Sequence, residues 1–297
     1  MDKRSIRDLI GTKLMLIITV IISLLFFIIF FILVYRSIPL IGETSLAELL
    51  FSAIWNPEKG LFGLAGIVIG TILVTGISLL IAIPISLLCA VFISEYVNEK
   101  IRHILRPFLD ILAGVPSVVY GLSAFIVLVP FTRDFLAPFF GVNSTGLCVF
   151  SAALILAVMV FPIIISLCIE SFSAIPIELK EAALSVGATK WEMVKKVIFK
   201  ASRPNIISAV LLGFGRAFGE TIAVNMVVGG VPKIPGSLFN PAQTLASLIA
   251  SAYGEMMSVP LYDSALMFVA LLLFVVVITF NILGVFVLRR SKRRYSK

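Results

Sequence analysis

The run LMLIITVIISLLFFIIFFILVY, residues 14–35, contains no charged side chain. A helix rises about 1.5 Å per residue and the bilayer core is about 30 Å thick, so about 20 apolar residues can span it. The run is therefore predicted to be a transmembrane helix. It is too long for the apolar part of a secretory signal, and Tyr35-Arg36-Ser37 after it is not a small-residue cleavage site, so we interpret it as a retained anchor.

Five further apolar runs of spanning length follow along the chain. They are residues 61–94, 111–132, 146–169, 205–228 and 264–288. Of these runs, only 205–228 contains charged residues, namely Arg216 and Glu220. The pattern predicts an all-α membrane protein with six transmembrane helices.

The composition excludes most soluble classes of protein. Of the 297 residues, 60% are hydrophobic and only 13% are charged, and the mean hydropathy is +1.13. A soluble domain carries about 25% charged residues, so this chain cannot cover itself with a water-compatible surface. A soluble enzyme, a secreted disulfide scaffold, a disordered tail and a nucleic-acid-binding domain are all poor fits.

The basic residues predict the orientation of the chain. Nineteen of the 24 Lys and Arg residues fall in the two tails and in the loops after spans two and four, whereas four fall in the other loops. By the positive-inside rule both termini are then cytoplasmic. The net charge of +8 is thus a topology signal and requires no nucleic acid. We divide the chain into an anchor region, 1–59, a core, 60–290, and a basic tail, 291–297.

The sequence lacks the means to hydrolyse ATP. It has no GxxxxGK[ST] phosphate loop, and GFGRAFG (213–219) has the wrong spacing for a dinucleotide loop and lies inside a span. A single histidine, His103, excludes His-based triads and HExxH sites. The cysteines Cys89, Cys148 and Cys168 lie in apolar runs without ligand spacing, so no metal or cofactor is expected. Uphill transport would need an ion gradient or another subunit.

The loop 171–203 is predicted to fold as two short helices. Pro176 suits the start of the first, and Gly187 suits a left-handed turn after it. Thr189 and Glu192 have capping-box spacing for the second, which would place Trp191, Val194, Val197 and Ile198 on one stripe. The element either lies on lipid headgroups or docks a cytoplasmic partner.

Four segments resemble a known family. EAALSVGA (181–188) resembles the EAA loop of ABC-importer permeases. GFGRAFGETIAVNMVVGG (213–230), AGVPSVVYGL (113–122) and FISEY (92–96) are similar to the permease subunits of phosphate ABC importers.

The resemblance implies the MetI-like permease fold and a phosphate-importing role without enzymatic activity of its own. It implies that Glu181, Ala182, Ala183 and Gly187 couple the chain to an ATPase. The implied partners are a second, homologous PstA-like permease, an ATPase dimer, an extracytoplasmic phosphate-binding protein and membrane lipid. The implied location is the cytoplasmic membrane of a bacterium or archaeon.

The charged residues of the fifth span are the candidate substrate site. Arg216 lies 11 residues beyond Asn205, so roughly 17 Å into the membrane, and Glu220 four residues later would share its helical face. The two either form an ion pair that locks helix packing or serve an anion, because a guanidinium matches an oxyanion with a fork of donors.

We hypothesise that Arg216 receives phosphate and that Glu220 is its resting partner. Thr221 and Asn225 are weaker candidates for the same path. Another oxyanion, such as molybdate or sulfate, would suit the same chemistry, and an ion-coupled secondary transporter is the rival class. A structural membrane anchor would not explain the charges at mid-membrane.

The loop before the last span contains one further helix signal. Asn240-Pro241-Ala242-Gln243 is predicted to cap a short outer helix over TLASLIASAY. That helix either lies at the membrane interface or docks the binding protein.

Overall fold

A computed structural model of the protein describes residues 3–255 and 258–295. These residues form mainly helices, with a long irregular segment at 228–244. The helices are α1 (Lys3–Glu43), α2 (Leu46–Phe51), α3 (Ala65–Val91), α4 (Glu99–Gly114), α5 (Ser117–Ser123), α6 (Val129–Phe131), α7 (Ala137–Phe139), α8 (Val149–Ser173), α9 (Ile177–Ser185), α10 (Lys190–Met193), α11 (Phe199–Ala201), α12 (Arg203–Gly219), α13 (Ile222–Val227), α14 (Leu245–Ala252) and α15 (Tyr262–Tyr295).

Seven other short elements lie among the described residues. The π-helical turns are Phe92–Tyr96, Ala124–Leu128, Thr132–Leu136 and Val194–Ile198. The strands β1 (Trp55–Asn56) and β2 (Leu61–Phe62) pair antiparallel, with Trp55 opposite Phe62, across the 3₁₀ turn Pro57–Lys59. This hairpin lies between α2 and α3, so residues 61 and 62 do not belong to the second span.

Five helical stretches among the described residues are long and apolar enough to cross a membrane. They are Gly11–Glu43, Ala65–Tyr96, Ser117–Phe139, Val149–Ser173 and Tyr262–Val287. A sixth exists if Lys190–Ala201 and Arg203–Gly219, which meet at 74°, count as one bent span. The first arm of that pair carries five charged residues, so we treat only the second arm, α12, as the membrane segment. The prediction of a helical, multi-span fold is confirmed.

Two predicted spans differ from the observed ones. The run 111–132 was expected to be one helix, but α4 ends at Gly114 and a new helix begins at Ser117, because Pro116 cannot continue a helix from Val115. The run 205–228 was also expected to be one helix, but α12 ends at Gly219. Its 17 residues are about 26 Å long, slightly less than the bilayer core.

The helix α8 is the centre of the bundle. In its most apolar window 67% of the residues are buried, against 0% for α1. Small residues at its contact face, including Ser151, Ala152 and Ala157, are fully buried. The helix packs along α3, where Ser78 and Ala82 are also fully buried. Small side chains allow two helix backbones to approach closely. In lipid, where no hydrophobic driving force holds helices together, this close van der Waals packing stabilises the pair.

One end of the bundle is closed by the segment between α13 and α14. The first N–H groups of α8, from Cys148, Val149 and Phe150, donate to the carbonyls of Val227, Asn240 and Leu238 at 2.9–3.1 Å. Such groups have no partner within their own helix, so the end of α13 and the loop after it satisfy them.

The helix α14 begins four residues later than predicted. Thr244, and not Asn240, is its cap: Thr244 Oγ1 accepts from Ser247 N at 3.2 Å, and Ser247 Oγ accepts from Thr244 N at 2.9 Å. Thr71 Oγ1 of α3 accepts from Leu245 N at 2.9 Å. Because residues 245–248 are all buried, α14 packs against the rest of the protein.

Candidate functional site

The fifth span is broken immediately after the arginine. Glu220 has extended backbone angles, φ −69° and ψ 123°, and α13 begins only at Ile222. Side chains stabilise this break: Thr221 Oγ1 donates to Gly219 O at 3.0 Å, and Glu220 Oε1 accepts from Ala223 N at 3.4 Å. Short polar side chains that bond to nearby backbone offer the chain an alternative to helix. We call residues 216–225 the membrane break.

The prediction that Arg216 and Glu220 share a helical face is therefore wrong. Arg216 lies in the last turn of α12, where a cation interacts favourably with the free carbonyls, and Glu220 lies beyond the helix end. The ion pairs of the described residues join Arg36 to Asp263, Arg133 to Asp134, Lys180 to Glu95 and Lys196 to Glu192. The expected resting pair between Arg216 and Glu220 is not among them.

The guanidinium of Arg216 is incompletely satisfied. Its Nε is buried and has no hydrogen-bond partner among the described residues. Its charge lies close enough to Tyr120 on α5 to act on the phenol electrostatically. Tyr120 Oη itself donates to Leu112 O at 2.8 Å. A buried donor without a partner costs about 1–3 kcal/mol, so it is uncommon in a folded protein and calls for an explanation. Ser86 Oγ on α3 is the other buried side-chain atom without a partner among the described residues.

The motif on α5 packs directly against the membrane break. A Cβ on Gly121 would lie 2.9 Å from Ala223 Cα, so only glycine permits this approach of α5 to α13. Residues 120 and 121 were quoted for the family resemblance but were not predicted to belong to the site. Their proximity to α13 depends on tertiary packing and has no local signal in the sequence.

The other two predicted path residues also lie at the break. Thr221 is half-buried between the helices, and its carbonyl accepts a hydrogen bond from Asn225 N at 3.0 Å. Asn225 is half-buried on α13. The break thus brings two polar side chains to the same short segment as Arg216 and Glu220.

An apolar cavity beside α12 does not fit an anion. It has a volume of about 570 Å³ and lies between α3, α12 and α15. Its lining includes Phe51, Phe214, Phe218 and Phe280 and no charged residue. Phosphate would lose its hydration there without gaining donors in return.

The loop 171–203, which we call the coupling element because the family resemblance predicts that it contacts an ATPase, has the expected local structure. The helix α9 covers the EAA residues, and Gly187 follows it at φ +86°, a left-handed conformation that favours glycine. Thr189 and Glu192 form the predicted capping box: Glu192 N donates to Thr189 Oγ1 at 3.2 Å, and Thr189 N donates to Glu192 Oε2 at 3.0 Å. These bonds confirm the predicted start of the second helix.

The stripe on that second helix was only partly predicted. Val194 and Ile198 are fully buried and Val197 is half-buried, but Trp191 is 48% exposed. The π-helical turn Val194–Ile198 adds a residue to the turn and rotates the side chains around it. Met193 is buried instead.

The surface of α9 is open and rich in apolar side chains. Glu181 and Ala182 are exposed, whereas Ala183 packs against the core. Ile177, Leu179 and Val186 are 63%, 51% and 82% exposed. A charged residue flanked by exposed apolar side chains is typical of a surface that another protein covers.

Glu192 of this element has a clearly altered acidity. The hydrogen bond from Lys196, at 2.9 Å, and those from Thr189 lower the pKa of Glu192 to about 2 from its usual 4.5. The carboxylate is therefore charged throughout the physiological range, and the cap that it forms is constant there.

Comparison with known proteins connects the chain to membrane transport. The sequence model of a family described as "Binding-protein-dependent transport system inner membrane component" matches residues 82–297. The chain is 33% identical to the probable phosphate transport system permease protein PstC of Methanocaldococcus jannaschii, covering 88% of this chain and 87% of that protein. It is 34% identical to the phosphate transport system permease protein PstC of Haemophilus influenzae, covering 89% and 86%.

A solved structure shares the fold. A chain of the MetNI methionine ABC transporter in an inward-facing conformation aligns with a TM-score of 0.60 at 21% sequence identity. The alignment covers 80% of this chain and 99% of that one. At this identity the likeness concerns the fold alone, and it agrees with the MetI-like architecture expected from the sequence.

Proposed function

The chain belongs to the family of binding-protein-dependent transport system inner membrane components, and from that premise we propose that it is a permease subunit of an ATP-driven phosphate importer. The relatives are named as phosphate permeases and match over most of their length. The observation that carries the proposal is the buried Nε of Arg216, which has no partner among the described residues and lies beside a break in a membrane helix.

Arg216 is the group that receives the anion. A guanidinium remains charged at any physiological pH and presents several N–H donors in one plane, which suits the oxygens of phosphate. The break lets side chains and backbone of residues 219–222 reach the same space, as irregular backbone at membrane depth does where it lines a cavity. Thr221 and Asn225 are secondary contacts along this path.

Glu220 limits how tightly the anion is held. Its carboxylate lies four residues from Arg216, beyond the helix end, and caps the next helix through Ala223 N. In place of the direct pair first expected, it acts as a fixed negative charge near the anion. Like charges repel, so Glu220 favours release of phosphate.

The work of transport is done by other chains. We assign Glu181, Ala182, Ala183 and Gly187 to the docking of an ATPase subunit, and the exposed apolar surface of α9 supports this. The remaining partners are a second ATPase copy, a homologous PstA-like permease that completes the path, and an extracytoplasmic phosphate-binding protein. The chain itself is a transport subunit and not an enzyme.

The proposed setting is the cytoplasmic membrane of a bacterium or archaeon, with both termini in the cytoplasm. The distribution of Lys and Arg supports this orientation. We propose the same division of the chain as before: an anchor region 1–59, a core 60–290 with the coupling loop at 171–203, and a basic tail 291–297.

Co-purification from the native membrane tests the proposal. We expect a phosphate-loop ATPase and a second permease to travel with this chain. We also expect phosphate and its binding protein to stimulate ATP hydrolysis by the purified assembly, while sulfate and molybdate do not. Stimulation by another oxyanion instead would reassign the substrate. Uptake by the isolated chain in liposomes under an ion gradient would identify a secondary transporter and end the importer proposal.

A further inference from the structure

A largely buried ion pair joins α9 to the end of the second span. Lys180 Nζ lies 2.7 Å from Glu95 Oε1, and the two side chains are only 17% and 7% exposed. Lys180 Nζ also donates to Phe172 O at 3.2 Å, near the end of α8. One ammonium group on α9 therefore contacts two membrane helices at once.

This pair differs from the other ion pairs of the described residues. The side chains of the other three pairs are all at least 34% exposed. An exposed pair contributes little because water and salt screen it. A buried pair is held more firmly, since removing one partner leaves an uncompensated charge away from water.

Neighbouring groups hold the same segment, Phe92–Tyr96, from other sides. Lys190 Nζ lies 4.7 Å from the ring centroid of Tyr96, in cation–π geometry. Arg102 Nε donates to Ile93 O at 3.0 Å, and its Nη2 donates to Ser94 O. Two lysines, one on each side of the Gly187 turn, therefore bind adjacent residues at the end of the second span.

The rest of α9 is weakly attached to the protein. It has no buried residue, and Ala183 is its half-buried contact with the core. The second span, by contrast, packs along α8 and also against α12, which carries Arg216. Through the bond between Lys180 and Glu95, a displacement of α9 acts directly on the second span. The second span in turn contacts the helices around the membrane break.

We propose that Glu95 and Lys180 are positioning residues that transmit movement of α9 to the second span. The proposal rests on the proposed function, in which an ATPase moves α9. A short charged hydrogen bond fixes two groups in distance and direction, whereas apolar contacts are non-directional and slide. The ion pair between Lys180 and Glu95 therefore keeps the end of the second span attached to α9 when an ATPase displaces that helix.

The test uses the complete importer, purified and reconstituted with its partner subunits and binding protein. The variant K180M/E95Q removes both charges together, so that no single charge is left buried. We expect it to assemble and hydrolyse ATP, while phosphate transported per ATP falls about tenfold, the effect of losing a hydrogen bond to a charged group.

Two further variants separate transmission from folding. E95D keeps the charge but shortens the reach, and we expect an intermediate loss of phosphate transported per ATP with unchanged assembly. K196M removes the exposed pair with Glu192 in the same element and is the matched control, expected within about twofold of the unmodified complex.

The outcomes distinguish this proposal from the proposed function. If the unmodified complex shows no phosphate-stimulated hydrolysis, the importer function fails, and transmission fails with it. The second outcome is that the unmodified complex transports phosphate, and that E95D or the assembled double variant transports as much phosphate per ATP. In that case the ion pair between Glu95 and Lys180 does not transmit the movement of α9.

Discussion

Arg216 and Lys180 are both partly buried cations, but their surroundings are opposite. Lys180 has a carboxylate at 2.7 Å and a backbone carbonyl at 3.2 Å. Arg216 has a buried Nε without a partner among the described residues, and Glu220, the nearest carboxylate in sequence, lies beyond the helix end. The first arrangement is complete within the chain, whereas we propose that the transported anion completes the second.

Lys180 thus has a structural role, whereas the role that we propose for Arg216 is functional. Removal from water destabilises both cations, and for Lys180 this is offset by contacts with groups that are always present in the fold. A donor left unsatisfied costs about 1–3 kcal/mol, which an oxyanion at Arg216 would offset. Charged residues inside membranes are expensive and mark transport paths for this reason.

Substitution of the unsatisfied cation gives the largest expected effect. Arg216→Lys keeps the charge but loses the planar fork, so phosphate uptake should fall about 10- to 100-fold, corresponding to about 1.5–3 kcal/mol for a hydrogen bond to a charged group. Uptake is measured in the reconstituted importer per amount of assembled complex. Arg133→Lys, at an exposed pair with Asp134, is the matched control and should leave uptake unchanged. Normal uptake by the Arg216 variant would mean that the site recognises charge alone.

Neutralisation of Glu220 should have a smaller effect of a different kind. Glu220→Gln retains an oxygen that can accept from Ala223 N, so folding should be preserved. Loss of one negative charge near the anion is expected to contribute about 1 kcal/mol, so both KM and kcat should fall about fivefold because release becomes slower. The measurement is phosphate-dependent uptake over a range of concentrations. A variant with both constants unchanged would remove Glu220 from the transport path.

Acidification of the coupling element should give the smallest effect. Glu192 has its pKa lowered to about 2 from 4.5, so its cap contributes fully above pH 4.5 and is lost as the pH falls towards 2. The two tryptophans are Trp55 and Trp191, so a Trp55→Phe background isolates emission from Trp191, which is 48% exposed next to Glu192. We expect its emission to shift between pH 4.5 and 2.

The control for this titration is Glu192→Gln in the same background. Its emission should be independent of pH over the same range because the titrating group is gone. An identical transition in both chains would show that acid acts elsewhere in the protein.

The local features of the coupling element were predictable because their causes lie within a few residues. A capping box needs only Thr189 and Glu192, three positions apart, and a left-handed turn needs only Gly187. The stripe with Trp191 failed because a π-helical turn changed the periodicity that the prediction assumed. The helix ends near Pro116 and Gly219 were missed because hydropathy does not register a break within an apolar run.

Sequence alone was sufficient for the membrane class, for most of the spans and for the identity of Arg216 as the unusual residue. These follow from apolar length and from the cost of a charge in lipid, which need no knowledge of neighbours. Tertiary structure alone decided which cation would have a partner. Lys180 meets Glu95 from 85 positions away, and Arg216 misses Glu220 from only four, because the path of the backbone determines which side chains can meet.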